Sequence, residues 1–167
     1  LFDLSGKDKY ACGVFGQGAG YWEGVGMLWD TGGDDAYLGQ WYVQGASAHF
    51  GIGFLEDTGG GDGYEAPMNM AQGAGHDFGI GMLLDRGGND RHKAPNLSLG
   101  AGNANGLGVF VDTEGDDTYE TGGTTLGTSA EAQKGSLRER AISLGMFLDL
   151  GGTDAYPEAA TWARNGN

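Results

Sequence analysis

Aspartate recurs in this chain at a spacing that only a repeat produces. One column is Asp3, Asp30, Asp57, Asp85, Asp112 and Asp149, and five residues after each lies a second: Asp8, Asp35, Asp62, Asp90, Asp117 and Asp154. The columns hold 12 of the 23 acidic residues, against nine basic ones and a formal net charge of −14. Two chemistries suit carboxylates placed this way. Oxygen-only donors at a turn match Ca²⁺, which takes carboxylates and backbone carbonyls together. All twelve are therefore candidate metal ligands, with Ca²⁺ the expected cofactor. Alternatively, each Asp caps its turn by accepting a backbone N–H two residues on. Both can hold, one for each column. Stacked copies would set like charges ~5 Å apart, costing roughly 1 kcal/mol per gap in water and more in a drier groove, so something must neutralise them. Lys9, Arg86 and Arg91 sit beside the columns and could replace a cation locally.

A second constellation is Glu23, His49, His76 and Asp77, which alignment of the copies places on neighbouring coils. Histidine with carboxylates could bind a transition metal or do acid–base work. Strand alternation, however, sends the adjacent His76 and Asp77 to opposite faces, so the expectation is a variable surface column. No nucleophile-elbow, zinc-protease or P-loop pattern is present. Trp29, Trp41 and Tyr42 could stack on sugars or pack inside. An ice-binding face would need regular Thr, and the column Leu4, Thr31, Thr58, Arg86, Thr113, Leu150 is too broken for that.

The elements that must hold these residues follow from the repeat. The first Asp column steps by 27, 27, 28, 27 and 37 residues, and an aromatic column follows the second: Tyr10, Tyr37, Tyr64, His92, Tyr119 and Tyr156. Stacked aromatics stabilise parallel strands. Each later motif is preceded by an alternating strand pattern, as in Gly51-Ile-Gly-Phe-Leu55. Its two adjacent apolar residues suggest a bulge or burial on both faces. Before that strand come Gln17, Gln44 and Gln72, each followed by Gly-Ala, which form either an amide ladder or a polar corner.

A 27-residue unit cannot bury its own apolar face, but a stack of copies can. The sequence therefore predicts one all-β domain over residues 1–167, a parallel β-solenoid of about six coils and roughly 25–30 Å long. The longest step predicts a short helical insert over about 124–140. Residues 157–167 read as a helical cap with Trp162 as its plug.

The segments Gly33-Asp-Asp35-Ala-Tyr37, Gly88-Asn-Asp90-Arg-His92 and Gly115-Asp-Asp117-Thr-Tyr119 match the second half of the RTX nonapeptide, with Asp-x-Gly in place of its first half. The chain thus resembles the RTX calcium β-roll over about a third of its length. That resemblance implies an extracellular, calcium-dependent solenoid, secreted or on the cell surface. Composition agrees on what to exclude. The acidic surface repels nucleic acid and anionic membrane, no apolar run reaches ~18 residues, and the lone Cys12 forms no internal disulfide. The first motif begins at residue 3, so the native chain is expected to continue upstream or to pair this uncapped coil with a partner such as a second copy. The functional expectation is a calcium-stabilised structural or binding module. The alternatives are a polysaccharide lyase or hydrolase on a β-helix scaffold and a filament subunit; carbohydrate is the other expected partner.

Overall fold

The computed structural model describes residues 1–122, 125–130, 134–163 and 165. The chain forms an all-β parallel solenoid of about four turns with almost no helix. Every strand pairs with the equivalent strand of the next repeat, in the register the motif sets: Tyr10 opposite Tyr37, Tyr64 opposite His92, Leu55 opposite Leu83. The end copies are only partly built into the sheets. The first reaches the strand Val25–Trp29 through a bridge from Phe2 to Trp29, and the last reaches the strand Thr118–Thr121 through a bridge from Thr118 to Ala155.

Two five-stranded sheets dominate. The tyrosine sheet comprises Lys9–Ala11, Ala36–Leu38, Gly63–Glu65, Arg91–Ala94 and Thr118–Thr121. The apolar sheet comprises Val25–Trp29, Ile52–Asp57, Ile80–Asp85, Leu107–Asp112 and Leu144–Asp149. A four-stranded sheet of two-residue strands, from Gly20–Tyr21 to Gly102–Asn103, and a short pair, Val14–Gly16 with Trp41–Val43, close the coil. The core between the main sheets is a single file of Leu28, Leu55, Leu83 and Phe110 against Tyr37, Tyr64 and Tyr119.

The adjacent apolar residues make neither a bulge nor a strand buried on both faces. Ile52–Asp57 alternates without interruption: Gly53, Leu55 and Asp57 point inward, Ile52, Phe54 and Glu56 outward. The inward glycine is required because this sheet lies directly on the Gly-Ala segment. A Cβ on Gly53 would stand 2.1 Å from the Ala46 carbonyl oxygen. Backbone bonds cross at the same place, from Phe54 N–H to Gly18 and from Met82 N–H to Gly45.

The Gln column forms no amide ladder. Gln17, Gln44 and Gln72 occupy left-handed corners with φ of 53–57°. Their Nε2 atoms donate inward to the carbonyls of Tyr10, Tyr37 and Tyr64 at 2.8–3.2 Å.

Both helical expectations change. Within the 124–140 insert the described helix is one 3₁₀ turn, Leu137–Arg140, while 124 and 131–133 lie outside the described residues. Over 157–167 the described residues form turns, closed by Ala160 N–H to Pro157 and Ala163 N–H to Ala160, and 164, 166 and 167 lie outside them. Docking on the last coil overrides helix propensity here. The plug is Ala160, which joins the core, whereas Trp162 is exposed. Asn165 ends the stack: its Oδ1 accepts the Asp154 N–H at 2.6 Å, the bond the next coil's Asp would have made.

Candidate metal centre

The Asp-x-Gly-Gly-x-Asp turns stack along one edge, and the two Asp columns behave differently. Each of Asp30, Asp57 and Asp85 in the first column caps its own turn, its Oδ1 accepting the N–H of Gly32, Gly59 or Gly87 at 2.9–3.2 Å. Its second oxygen accepts a phenol from the preceding coil, Tyr10 to Asp30, Tyr37 to Asp57 and Tyr64 to Asp85. The Asx-turn reading thus describes the first column. The tyrosines stack with centroids 4.6–4.9 Å apart from Tyr10 to Tyr64, and Tyr37 and Tyr64 are fully buried, which leaves them no ligand to stack on. Burial, then the adjacent carboxylates, push their phenols well above the usual range.

The second column runs along the stack. Oδ1 of Asp35, Asp62, Asp90, Asp117 and Asp154 accepts the N–H of its counterpart one coil earlier at 2.6–3.0 Å. Oδ2 of Asp8, Asp35, Asp62, Asp90 and Asp117 is buried with no hydrogen-bond partner among the described residues. Such an atom is costly unless it binds a proton or a cation. Desolvation raises these carboxyls, with neighbouring carboxylates adding to it: Asp35 to about 6, and Asp62, Asp90 and Asp117 to about 8.

The columns approach closely enough to share an ion. Asp3, Asp8 and Asp30 form one group, and Asp30, Asp35 and Asp57, Asp62, Asp85 and Asp90, Asp90, Asp112 and Asp117, and Asp117, Asp149 and Asp154 form four more. In each, one ligand atom per residue lies within 4.8 Å of the others, which lets one ion with M–O bonds of about 2.4 Å touch all three. All twelve sequence-chosen aspartates fall in these groups. The residues fit a hard divalent cation, since the donors are all carboxylate oxygens and the orphaned atoms are the ones left to bind it.

The fifth rung departs from the pattern. His92 replaces tyrosine, and Glu114 stands where three other copies have the glycine, Gly32, Gly59 or Gly87, whose N–H the first Asp accepts. His92 stacks between Tyr64 and Tyr119 at 4.6 and 5.4 Å, fully buried, with both ring nitrogens unpartnered. Asp112 Oδ1 is unpartnered as well. The column position of His92 was legible in the sequence, but its place among unsatisfied carboxylates was not.

The four catalytic candidates gather at another corner, where alternation fails. Trp22-Glu23, His49-Phe50, Asp77-Phe78 and Ala104-Asn105 form stacked turns with φ of 47–67° at both residues. Non-glycine residues pay about 1–2 kcal/mol for this conformation. The turn swings Asp77 back, so His49 Nδ1 meets Asp77 Oδ2 at 2.5 Å and the His49 and His76 rings lie 6.0 Å apart. Arg138 of the insert also pairs with Asp77, and His76 Nδ1 contacts Asn103 Nδ2 at 3.0 Å. Burial pushes the Asp77 carboxyl up, but its bonds to His49 and Arg138 outweigh this and hold it below the usual range. Glu23 is exposed and makes no side-chain bond among the described residues. Tyr21 and Trp22 lean on His49 at 5.4 Å. Trp41 is half-buried and Tyr42 buried, whereas Trp29 lies on the outer face of the apolar sheet.

Compared with protein-family models, curated proteins and solved structures, the chain matches none of them. The RTX resemblance therefore rests on the motif residues alone.

Proposed function

We propose that the protein is a calcium-stabilised structural or binding repeat module, six coils long when the partial end copies are counted, of the secreted or cell-surface kind that the RTX resemblance implies. The observation that carries the reading is the row of buried, unpartnered Oδ2 atoms on Asp35, Asp62, Asp90 and Asp117. Five divalent ions, one per carboxylate group, would offset ten of the twelve charges in the columns. The ions would cross-link consecutive coils, because each group draws on two of them. Calcium that binds only the folded chain raises stability with its concentration. Thermal unfolding of the untagged chain in chelator and in millimolar Ca²⁺ tests this. A melting temperature at least about 10 °C higher with Ca²⁺ is expected, and an unchanged one would overturn the reading.

A second reading concerns what the module binds or acts on. The His49–Asp77 pair beside exposed Tyr21 and Trp22 favours carbohydrate, bound or processed at that corner. Retention on a polysaccharide gel, or release of reducing ends, that disappears in Trp22→Ala or His49→Gln supports it; no retention and no release on a broad polysaccharide panel sinks it.

A further inference from the structure

We propose that the fifth rung is a site for a borderline transition-metal ion of the zinc class, held by His92 and Asp112 with Asp90 or Asp117. Three observations converge there. His92 brings the only nitrogen donor among the described residues of the two Asp columns and the aromatic column, and it is fully buried with both ring nitrogens unpartnered. Asp112 Oδ1 accepts no hydrogen bond among the described residues, where Oδ1 of Asp30, Asp57 and Asp85 each accepts a backbone N–H. Asp90 and Asp117 each present an unpartnered Oδ2 within the same carboxylate group.

His92 Nε2 stands 3.6 Å from Asp112 Oδ2, too far for a hydrogen bond, and that oxygen accepts the Tyr119 phenol at 3.2 Å. That spacing is close to the edge of a tetrahedron with M–N and M–O bonds of about 2.1 Å, roughly 3.4 Å. Imidazole with carboxylate suits zinc-class ions, whereas the oxygen-only rungs suit calcium. The site shares Asp90, Asp112 and Asp117 with the calcium reading but stands whether or not the other groups take calcium.

The test is titration of the untagged, chelator-treated chain with Co²⁺, followed by visible d–d absorption and displacement with Zn²⁺. About one equivalent per chain is expected. His92→Tyr, which restores the aromatic column, should weaken binding more than about 100-fold while leaving any Ca²⁺-dependent rise in melting temperature in place. His49→Gln should leave the cobalt signal unchanged. The proposal is overturned by no cobalt signal in the folded chain, by a signal that survives His92→Tyr, or by one that His49→Gln removes. Absence of a calcium effect, with cobalt binding intact, would sink only the calcium reading.

A separate observation carries a second inference: the outer face of the apolar sheet is an interface between two copies of this chain. The strands run in register, so their outward residues form three rows, the first being Val25, Ile52, Ile80, Leu107 and Leu144. Among the fifteen outward positions the one charge is Glu56, neutralised by Arg86 at 2.6 Å. Val25 is 75% exposed, and Met27, Ile52 and Leu144 are 42–44% exposed. Five strands at about 4.8 Å and five residues at about 3.3 Å give roughly 400 Å² in plan. Two such faces stacked about 10 Å apart remove on the order of 1,000 Å² or more from water, enough for a specific dimer. The occupant is a second copy because fourteen of the fifteen outward positions are uncharged and the area two such faces remove from water reaches what a dimer needs.

Sedimentation equilibrium of the chain should give a dimer. Met82→Lys, and independently Ile80→Thr, which keeps a β-branched residue, should each raise the dimer dissociation constant at least about tenfold with circular dichroism unchanged. A monomer at all concentrations, a dimer indifferent to both variants, or binding to neutral vesicles in place of dimerisation would overturn it.

Discussion

The tyrosine sheet and the apolar sheet are built from the same repeat, yet they meet water in opposite ways. Inward they follow one rule: a large side chain per coil, Tyr37 and Tyr64 on one side and Leu55 and Leu83 on the other, stacked on its copies. Outward, the tyrosine sheet shows Lys9, Glu65, Arg91, Lys93 and Glu120, with Arg91 paired to Glu120 at 2.6 Å and Lys93 to Glu65 at 3.2 Å. The apolar sheet shows rows of aliphatic and thioether side chains. Stacking dictates the inside of both, because a buried residue must match the copy above and below. Nothing in stacking dictates the outside. The charged face is what a solvated sheet needs to avoid unwanted association, and the bare one is the face assigned above to a second copy.

The sharpest way to break this comparison is to attack one close backbone contact in the turn before the tyrosine sheet and one inside the apolar sheet, where the two should respond alike. Gly60→Ala puts a Cβ 1.4 Å from the Gly33 carbonyl oxygen, and Gly81→Ala puts one 2.2 Å from that of Ala74. Each should cost more than about 4 kcal/mol, read as loss of the cooperative melting transition. Gly13→Ala, with nothing within 4 Å of the new Cβ, is the matched control and should be nearly neutral.

Next in size is the response to pH, which is concentrated in the two Asp columns where the sheets meet. Asp62, Asp90 and Asp117 titrate near 8 when folded, against about 3.9 unfolded. Between those values the folded state holds more protons, so without metal its stability is greatest below about pH 4 and falls as pH rises to about 8. Melting in chelator should drop by about 10 °C from pH 5 to pH 8. Saturating Ca²⁺, which requires the ionised carboxylates, should reverse the slope. A flat profile in both conditions would remove the electrostatic role of the Asp columns.

Tyr64→Phe takes the phenol from Asp85 and leaves a buried carboxylate oxygen unpaired. It should destabilise by about 1–3 kcal/mol in urea unfolding. The outward changes come last. Arg91→Ala on the charged face should cost less than about 1 kcal/mol and even less in high salt. Ile80→Thr on the apolar face should move monomer stability by about 0.5 kcal/mol at most, while changing association.

Several features were readable in the chain because the repeat sets them. The 27-residue step fixes the parallel register, so the stacking of Tyr10, Tyr37 and Tyr64, and of each Asp column, follows from spacing alone. The twelve candidate ligands were found for the same reason: any residue repeated in phase must form a column. The bare outer sheet was also written there, since Val25 and Met27 alternate with Gly26 and Leu28. Reading Met27-Leu28 as a bulge or as a strand buried on both faces hid it.

What only the tertiary structure decided lies where alternation stops or where copies differ. Left-handed corners at His49-Phe50 and Asp77-Phe78 bring His49 onto Asp77, against the strand rule, because a turn of positive φ reverses the side-chain direction. The division of labour between the columns, turn caps in one and unpartnered oxygens in the other, depends on how close successive coils approach, which spacing does not state. The C-terminal segment forms turns because Ala160 and Asn165 must fit the last coil, and docking there outweighs the helix propensity of its residues.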